Sequence, residues 1–287
     1  MKIALCNEVI RDLEFPAQCS LAADLGYSGL EVAPFTLGKN PHLLVPRQRA
    51  QLRRAALDAG ISITGLHWLL LSPPGLSITS PDRFVRDRTI EIIVRLIDLC
   101  ADLGGKVLVH GSPKQRQVSD NDDPLKAWYR ARDLLARVSQ YAAEAGVIYI
   151  LEPLAPSDTN FINTVAEAVQ MIKCVGNSVL RTMIDTCAAG IGEASPIPQL
   201  IDQWLPTGTV AHVHLNDINR LAPGQGRVAF APILTALQRN GYAGVAAVEP
   251  FKYQPDGPTA AARAIGYLNG LLEDLSTDTC EPDQRIS

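Results

Sequence analysis

A single-domain α/β protein closed into a (β/α)8 barrel is what the sequence predicts, on three observations. Short apolar runs alternate with longer segments of helical periodicity, and the pair recurs about eight times along the 287 residues. Most of the short runs are apolar nearly throughout, as parallel strands covered on both faces must be. Six of the longer segments are followed by glycine (Gly26, Gly60, Gly104, Gly146, Gly176, Gly241), the residue suited to the left-handed turn after a helix.

In chain order, strands are expected at 2–6, 29–33, 62–67, 106–110, 147–152, 181–185, 210–215 and 245–249. The helices between them are expected at 16–25, 46–59, 82–103, 124–145, 165–175, 197–204, 232–240 and 259–275. Eight units favour closure over an open doubly wound sheet, and one α/β barrel routinely reaches about 250 residues. No G-x-G-x-x-G follows the first strand, which weakens a dinucleotide-binding reading, and Gly224-Gln225-Gly226 after the seventh strand reads as a loop. The barrel is assigned to 1–275, and the polar stretch 276–287 reads as a flexible C-terminal tail.

Composition narrows the function. With 47% hydrophobic and 20% charged residues the chain is globular, with ample material for a core. A formal charge of −4 with scattered Lys and Arg argues against a phosphate-backbone partner. Six cysteines without a C-x-x-C pair form neither a disulfide framework nor a zinc ribbon, and are expected to be reduced thiols. The first apolar stretch is broken at Asn7 and Glu8, too early for a signal peptide, and no apolar run approaches the roughly 18 residues of a membrane span. A cytoplasmic location with no membrane partner is therefore expected.

In such a barrel, polar residues that end apolar strands face the functional mouth. Four stand out: Glu152 after Ile148-Tyr149-Ile150-Leu151, Asp185 after Thr182-Met183-Ile184, His214 in Ala211-His212-Val213-His214, and Glu249 after Ala246-Ala247-Val248. Any one of these acids alone is as well explained as a salt-bridged strand end. Three carboxylates converging without a cation would repel one another, whereas one divalent ion satisfies all three. Oxygen-rich ligation with one imidazole suits Mn2+, Mg2+ or Co2+ and leaves positions open for substrate. His212 and His214, two apart on a strand, face the same side, so spacing alone does not choose between them.

His67 and His110, ending the third and fourth strands, are expected to point to the same mouth as ligand contacts, packed residues or ligands of a second metal. Trp68 offers a bound molecule an apolar wall or is packing. Lys114 and Arg116, without a glycine-rich anion cradle, read as a solvated loop rather than a phosphate site.

Motifs along nearly the whole chain carry a resemblance. They are Met1-Lys2-Ile3-Ala4-Leu5-Cys6-Asn7-Glu8, Gly111-Ser112-Pro113-Lys114-Gln115-Arg116, Leu151-Glu152-Pro153, Asn160-Phe161-Ile162-Asn163-Thr164, Ile184-Asp185-Thr186, His212-Val213-His214 and Val248-Glu249-Pro250-Phe251. With them the sequence resembles the xylose isomerase-like TIM-barrel superfamily, and within it the D-tagatose 3-epimerase and related ketose 3-epimerase branch. The resemblance implies a single divalent ion, Mn2+ first with Co2+, Mg2+ and Zn2+ as alternatives, on Glu152, Asp185, His214 and Glu249. It implies sugar contacts from Arg220 and from Asp158, where the branch commonly has glutamate, and His67 is placed with them. Where the branch has a substrate-contacting histidine, this chain has Ala188, which puts the ordinary ketohexose substrate in question.

The implied activity is epimerisation or isomerisation of a ketose or related sugar through a metal-stabilised ene-diolate, with Glu152 and Glu249 as catalytic proton carriers. The alternatives are an inosose dehydratase-type lyase, a non-catalytic sugar-binding barrel, and an apurinic endonuclease-like phosphodiesterase. Against the last stand the missing Asp-x-His ligand pair, Ala188 and the acidic balance. The expected partner is a small sugar or sugar derivative, and a homo-oligomer is compatible with the sequence.

Overall fold

The computed structural model describes residues 1–277, so nearly all of the expected tail at 276–287 lies outside the described residues. Eight parallel strands form a closed barrel in chain order: β1 Lys2–Cys6, β2 Gly29–Val32, β3 Ser62–Leu66, β4 Val107–His110, β5 Ile148–Leu151, β6 Leu180–Asp185, β7 Val210–Leu215 and β8 Val245–Val248. Pairing of β1 with β8, from Lys2 opposite Val245 to Leu5 opposite Val248, closes the ring. The helices are α1 Phe15–Asp24, α2 Pro46–Asp58, α3 Arg83–Leu103, α4 Pro124–Ala145, α5 Val165–Val175, α6 Thr186–Gly192, α7 Ile197–Trp204, α8 Phe230–Arg239 and α9 Gly257–Thr277. No helix among the described residues is long and apolar enough to cross a membrane.

The six glycines expected after helices all adopt positive φ, from 67° at Gly241 to 91° at Gly26, a conformation that costs a residue with a Cβ roughly 1 kcal/mol or more. One helix, α6, was not expected. Its seven residues, Thr-Cys-Ala-Ala-Gly-Ile-Gly, carry no amphipathic period, and the helix begins because Asp185 Oδ1 accepts a hydrogen bond from Ala188 N at 2.6 Å.

Several strands stop one residue short of their expected ends, at Val32, Leu66, Leu151 and Val248. The amides that follow still reach the neighbouring strand: His67 N to Val32 O at 3.1 Å, Glu152 N to His110 O at 3.3 Å and Glu249 N to Leu215 O at 3.2 Å. These side chains therefore continue the inward alternation. Below them the barrel is filled by an apolar plug of Val107, Val109, Ile150 and Met183, beside Ala4, Cys6 and Ala247. A much larger core lies between the strands and the helices. The plug forces the inward residues above it up to the C-terminal mouth.

Candidate metal centre and substrate pocket

Glu152, Asp185, His214 and Glu249, from four consecutive strands, bring one ligand atom each to within 4.8 Å of one another, and all four are buried. His214 Nδ1 lies 2.8 Å from Glu249 Oε2 and 3.9 Å from Glu152 Oε1. Its other nitrogen, Nε2, lies 2.9 Å from Glu31 Oε1 on β2. His212 sits one layer deeper, with Nε2 2.8 Å from Glu31 Oε2 though out of line for a hydrogen bond. The tertiary fold thus resolves the choice that spacing left open, because only His214 reaches the three acids.

Three partners that sequence reasoning missed hold this quartet. Glu31 is fully buried and anchors the imidazole of His214 from behind. Burial alone would raise its pKa, but His212 and His214 beside it hold it well below the ordinary carboxylate range. Asn216 Nδ2 donates to Asp185 Oδ2 at 2.8 Å and to the main-chain oxygen of Glu249 at 3.0 Å, tying β6 to β8 across β7. Gly111 leaves room for Glu152, since a Cβ there would stand 1.8 Å from Glu152 Oε2. A charged residue inside the apolar run Gly29-Leu30-Glu31-Val32 was a signal available for Glu31, and Asn216 lies two residues beyond His214, hence on its side of the strand.

The protonation chemistry of the quartet fits a cation. Burial, then the charge of Glu249, pushes Glu152 up to about 8 and Asp185 up to about 6. Burial would lower His214, yet Glu249 and Glu31 raise it well above its ordinary value. Acids pushed to their neutral form around an imidazole pulled to its charged form are what a divalent ion relieves, with three oxygens and one nitrogen for ligands. These four residues could hold such an ion.

Over the quartet opens a cavity walled by Trp68, Phe251, Leu154, Pro113, Cys187 and Ala188. Arg220 and Asp158 face each other across its mouth, Nη2 to Oδ1 at 2.7 Å, and both are part-exposed. Arg220 (φ 69°) and Trp68 (φ 53°) both carry left-handed backbone, which costs about 1–3 kcal/mol each and persists where surroundings enforce it. For Arg220 the enforcement is visible: its carbonyl accepts from Phe251 N and Lys252 N, each at 2.9 Å.

Three expectations are corrected. His67 is not on the cavity wall. It is fully buried behind Glu249, with Nε2 2.8 Å from Glu8 Oε2 and 3.7 Å from Glu249 Oε1. Burial would lower its pKa, but the charge of Glu8 takes it up to about 9. His110 does not face the mouth, because the alternation that turns Val107 and Val109 inward turns it toward the helices, where Nδ1 meets Tyr149 Oη at 2.9 Å. It belongs to no metal-spaced group among the described residues, so it shares no ion site with His67, which falls instead in a group with Cys6, Glu8 and Glu249. Arg116, expected in a solvated loop, is fully buried.

Comparison with known proteins matches residues 19–271 to the family model described as xylose isomerase-like TIM barrel. An L-ribulose 3-epimerase of Mesorhizobium japonicum is 31% identical over 204 residues, covering 69% of this chain and 64% of that protein. A fructoselysine 3-epimerase of Shigella flexneri is 23% identical over 263 residues, covering 88% and 91%. Among solved structures, one of L-ribulose 3-epimerase superposes with a TM-score of 0.82 at 24% identity over 100% of both chains.

Proposed function

This chain belongs to the xylose isomerase-like TIM barrel family, and on that premise we propose that it is an isomerase, a divalent-metal-dependent epimerase of a ketose or a close sugar derivative. The observation that carries the reading is the convergence of two buried glutamates, Glu152 on β5 and Glu249 on β8, with Asp185 and His214 at the floor of one cavity. Its 3-epimerase relatives support the reaction class.

Glu152, Asp185, His214 and Glu249 would hold the ion, Mn2+ or alternatively Co2+, Mg2+ or Zn2+, which would supply Lewis-acid polarisation of the substrate carbonyl and so acidify the adjacent C–H. One of Glu152 and Glu249 takes that proton as its carboxylate, leaving the planar ene-diolate of the sugar. The other, as its carboxylic acid, returns a proton to the opposite face, which inverts the carbon. Asn216 fixes the spacing between Asp185 and the Glu249 backbone, so the reacting acids do not drift.

Arg220 and Asp158 hold sugar hydroxyls at the mouth, exchanging part of their own ion pair for the ligand. Trp68 and Phe251 give the carbon skeleton an apolar wall and shield the ene-diolate from water. Ala188 supplies no hydrogen-bonding side chain to the cavity, and a different sugar tail is accommodated there.

The test is incubation of the Mn2+-loaded protein in D2O with L-ribulose, D-psicose, D-fructose, D-tagatose and fructoselysine, followed by NMR and product chromatography. Deuterium entering one carbon next to the carbonyl together with the epimer is expected. A dehydrated product without epimer assigns the lyase class instead, and binding without any exchange makes the barrel a non-catalytic sugar receptor.

A further inference from the structure

Arg116 lies in the loop between β4 and α4, yet its side chain is fully buried. Its guanidinium donates through Nη1 to the main-chain oxygen of Glu152 and through Nη2 to that of His110. Both oxygens stand at the C-terminal end of the β4–β5 ladder, whose last rung pairs His110 with Leu151. Past that rung Glu152 N still reaches His110 O at 3.3 Å, and a planar fork with fixed donor geometry is suited to adding a second tie between the two strand-end carbonyls.

The same loop starts at Gly111, whose missing Cβ leaves the space that Glu152 Oε2 fills. One six-residue segment therefore holds Glu152 from two sides: Gly111 admits its carboxylate, and Arg116 fixes the backbone from which that carboxylate projects. Gly111 and Pro113 line the cavity, whereas Arg116 does not. A direct sugar or phosphate contact from Arg116 is excluded by this placement.

Stability alone is a poor reason for the residue. Arg116 Nε finds no partner, and an apolar side chain of similar volume would fill the space without the cost of burying a charge. What an apolar chain would not do is bind two strand-end carbonyls together. Resting on the reading of Glu152 given above, we infer that Arg116 is a positioning residue: it sets the Glu152 carboxylate in the metal centre through the main chain, touching neither ion nor sugar.

The test compares wild type, R116K, R116M and G111A by calorimetric titration with Mn2+ in the absence of sugar, by kcat and KM on the best ketose, and by far-UV circular dichroism. Both Arg116 variants are expected to stay folded, to bind Mn2+ about tenfold or more weakly, and to lose about 10²-fold in kcat with KM within about threefold. Lysine does not rescue, because an ammonium lacks the fork. G111A is expected to show the same pattern with Arg116 intact, by displacing the carboxylate directly.

Wild-type Mn2+ affinity and kcat in R116M would overturn the inference while leaving the proposed function standing. So would a change confined to KM, which would mean contact with the sugar, or loss of the folded signal in both Arg116 variants, which would assign the residue to the fold. A wild type that neither binds Mn2+ nor turns over a ketose removes the proposed function, and the inference with it.

Discussion

Replacing Glu31 by glutamine leaves the size of the side chain almost unchanged and removes one buried negative charge. In the structure that charge lies 2.9 Å from His214 Nε2 and 2.8 Å from His212 Nε2, with His67 Nδ1 3.9 Å away, and none of these groups is exposed. As a carboxylate, Glu31 accepts the Nε2 proton of His214, turns Nδ1 toward Glu249 Oε2 at 2.8 Å on the side of Glu152, and raises the basicity of the ring. A glutamine oxygen still accepts that proton, but its NH2 then faces His212 Nε2 and the electrostatic support is gone.

Loss of such outer partners typically weakens a metal site 10- to 100-fold, or about 1.4–2.7 kcal/mol. Calorimetric titration of E31Q with Mn2+ at pH 7.5 is therefore expected to give a dissociation constant raised within that range, with kcat reduced at saturating metal. The lowered pKa of Glu31 adds a second signature. Its stabilisation is fully present above the ordinary carboxylate range and is lost as pH falls through the lowered value, so E31Q should have a shallower acid limb in thermal melts. Unchanged Mn2+ affinity together with an unchanged acid limb would refute the assignment of Glu31 as the support of His214.

Three further outcomes are expected. Glu152→Gln and Glu249→Gln should each lower deuterium exchange into the substrate by about 10²–10⁴-fold, and activity surviving both changes would end the two-glutamate mechanism. Metal-free protein should lose thermal stability as pH rises from about 5 to 8. Glu152 and Asp185 are raised in the fold, to about 8 and about 6, so their favourable protonation is lost across that window, and a flat profile after chelation would contradict it. Added Mn2+ should restore the high-pH stability. Arg220→Ala should raise KM by about tenfold or more while shifting the melting temperature little, because a part-exposed ion pair contributes only about 0–1 kcal/mol to folding; an unchanged KM would remove Arg220 from the sugar contacts.

The barrel and the three acids of the quartet were legible in the sequence because both are written locally. Apolar runs with glycine stops mark strands and helices one unit at a time, and Glu152, Asp185 and Glu249 each follow such a run directly. The fold rule that strand ends share one mouth then brings them together without further information. What the sequence by itself determined was the architecture and the residue types at the mouth.

Tertiary structure decided which side chains serve them. A one-residue shift in a strand reverses the face, so whether His67 and His110 reached the cavity depended on parity: His110 went out to Tyr149, and His67, though inward, stopped a layer below on Glu8. Glu31 meets His214 across 183 residues of chain, and Arg116 is 36 residues from one of the two carbonyls it binds. Such partners leave no periodic trace. A buried ionic group is chosen by the charges the closed barrel sets around it, and those exist only once all eight strands have met.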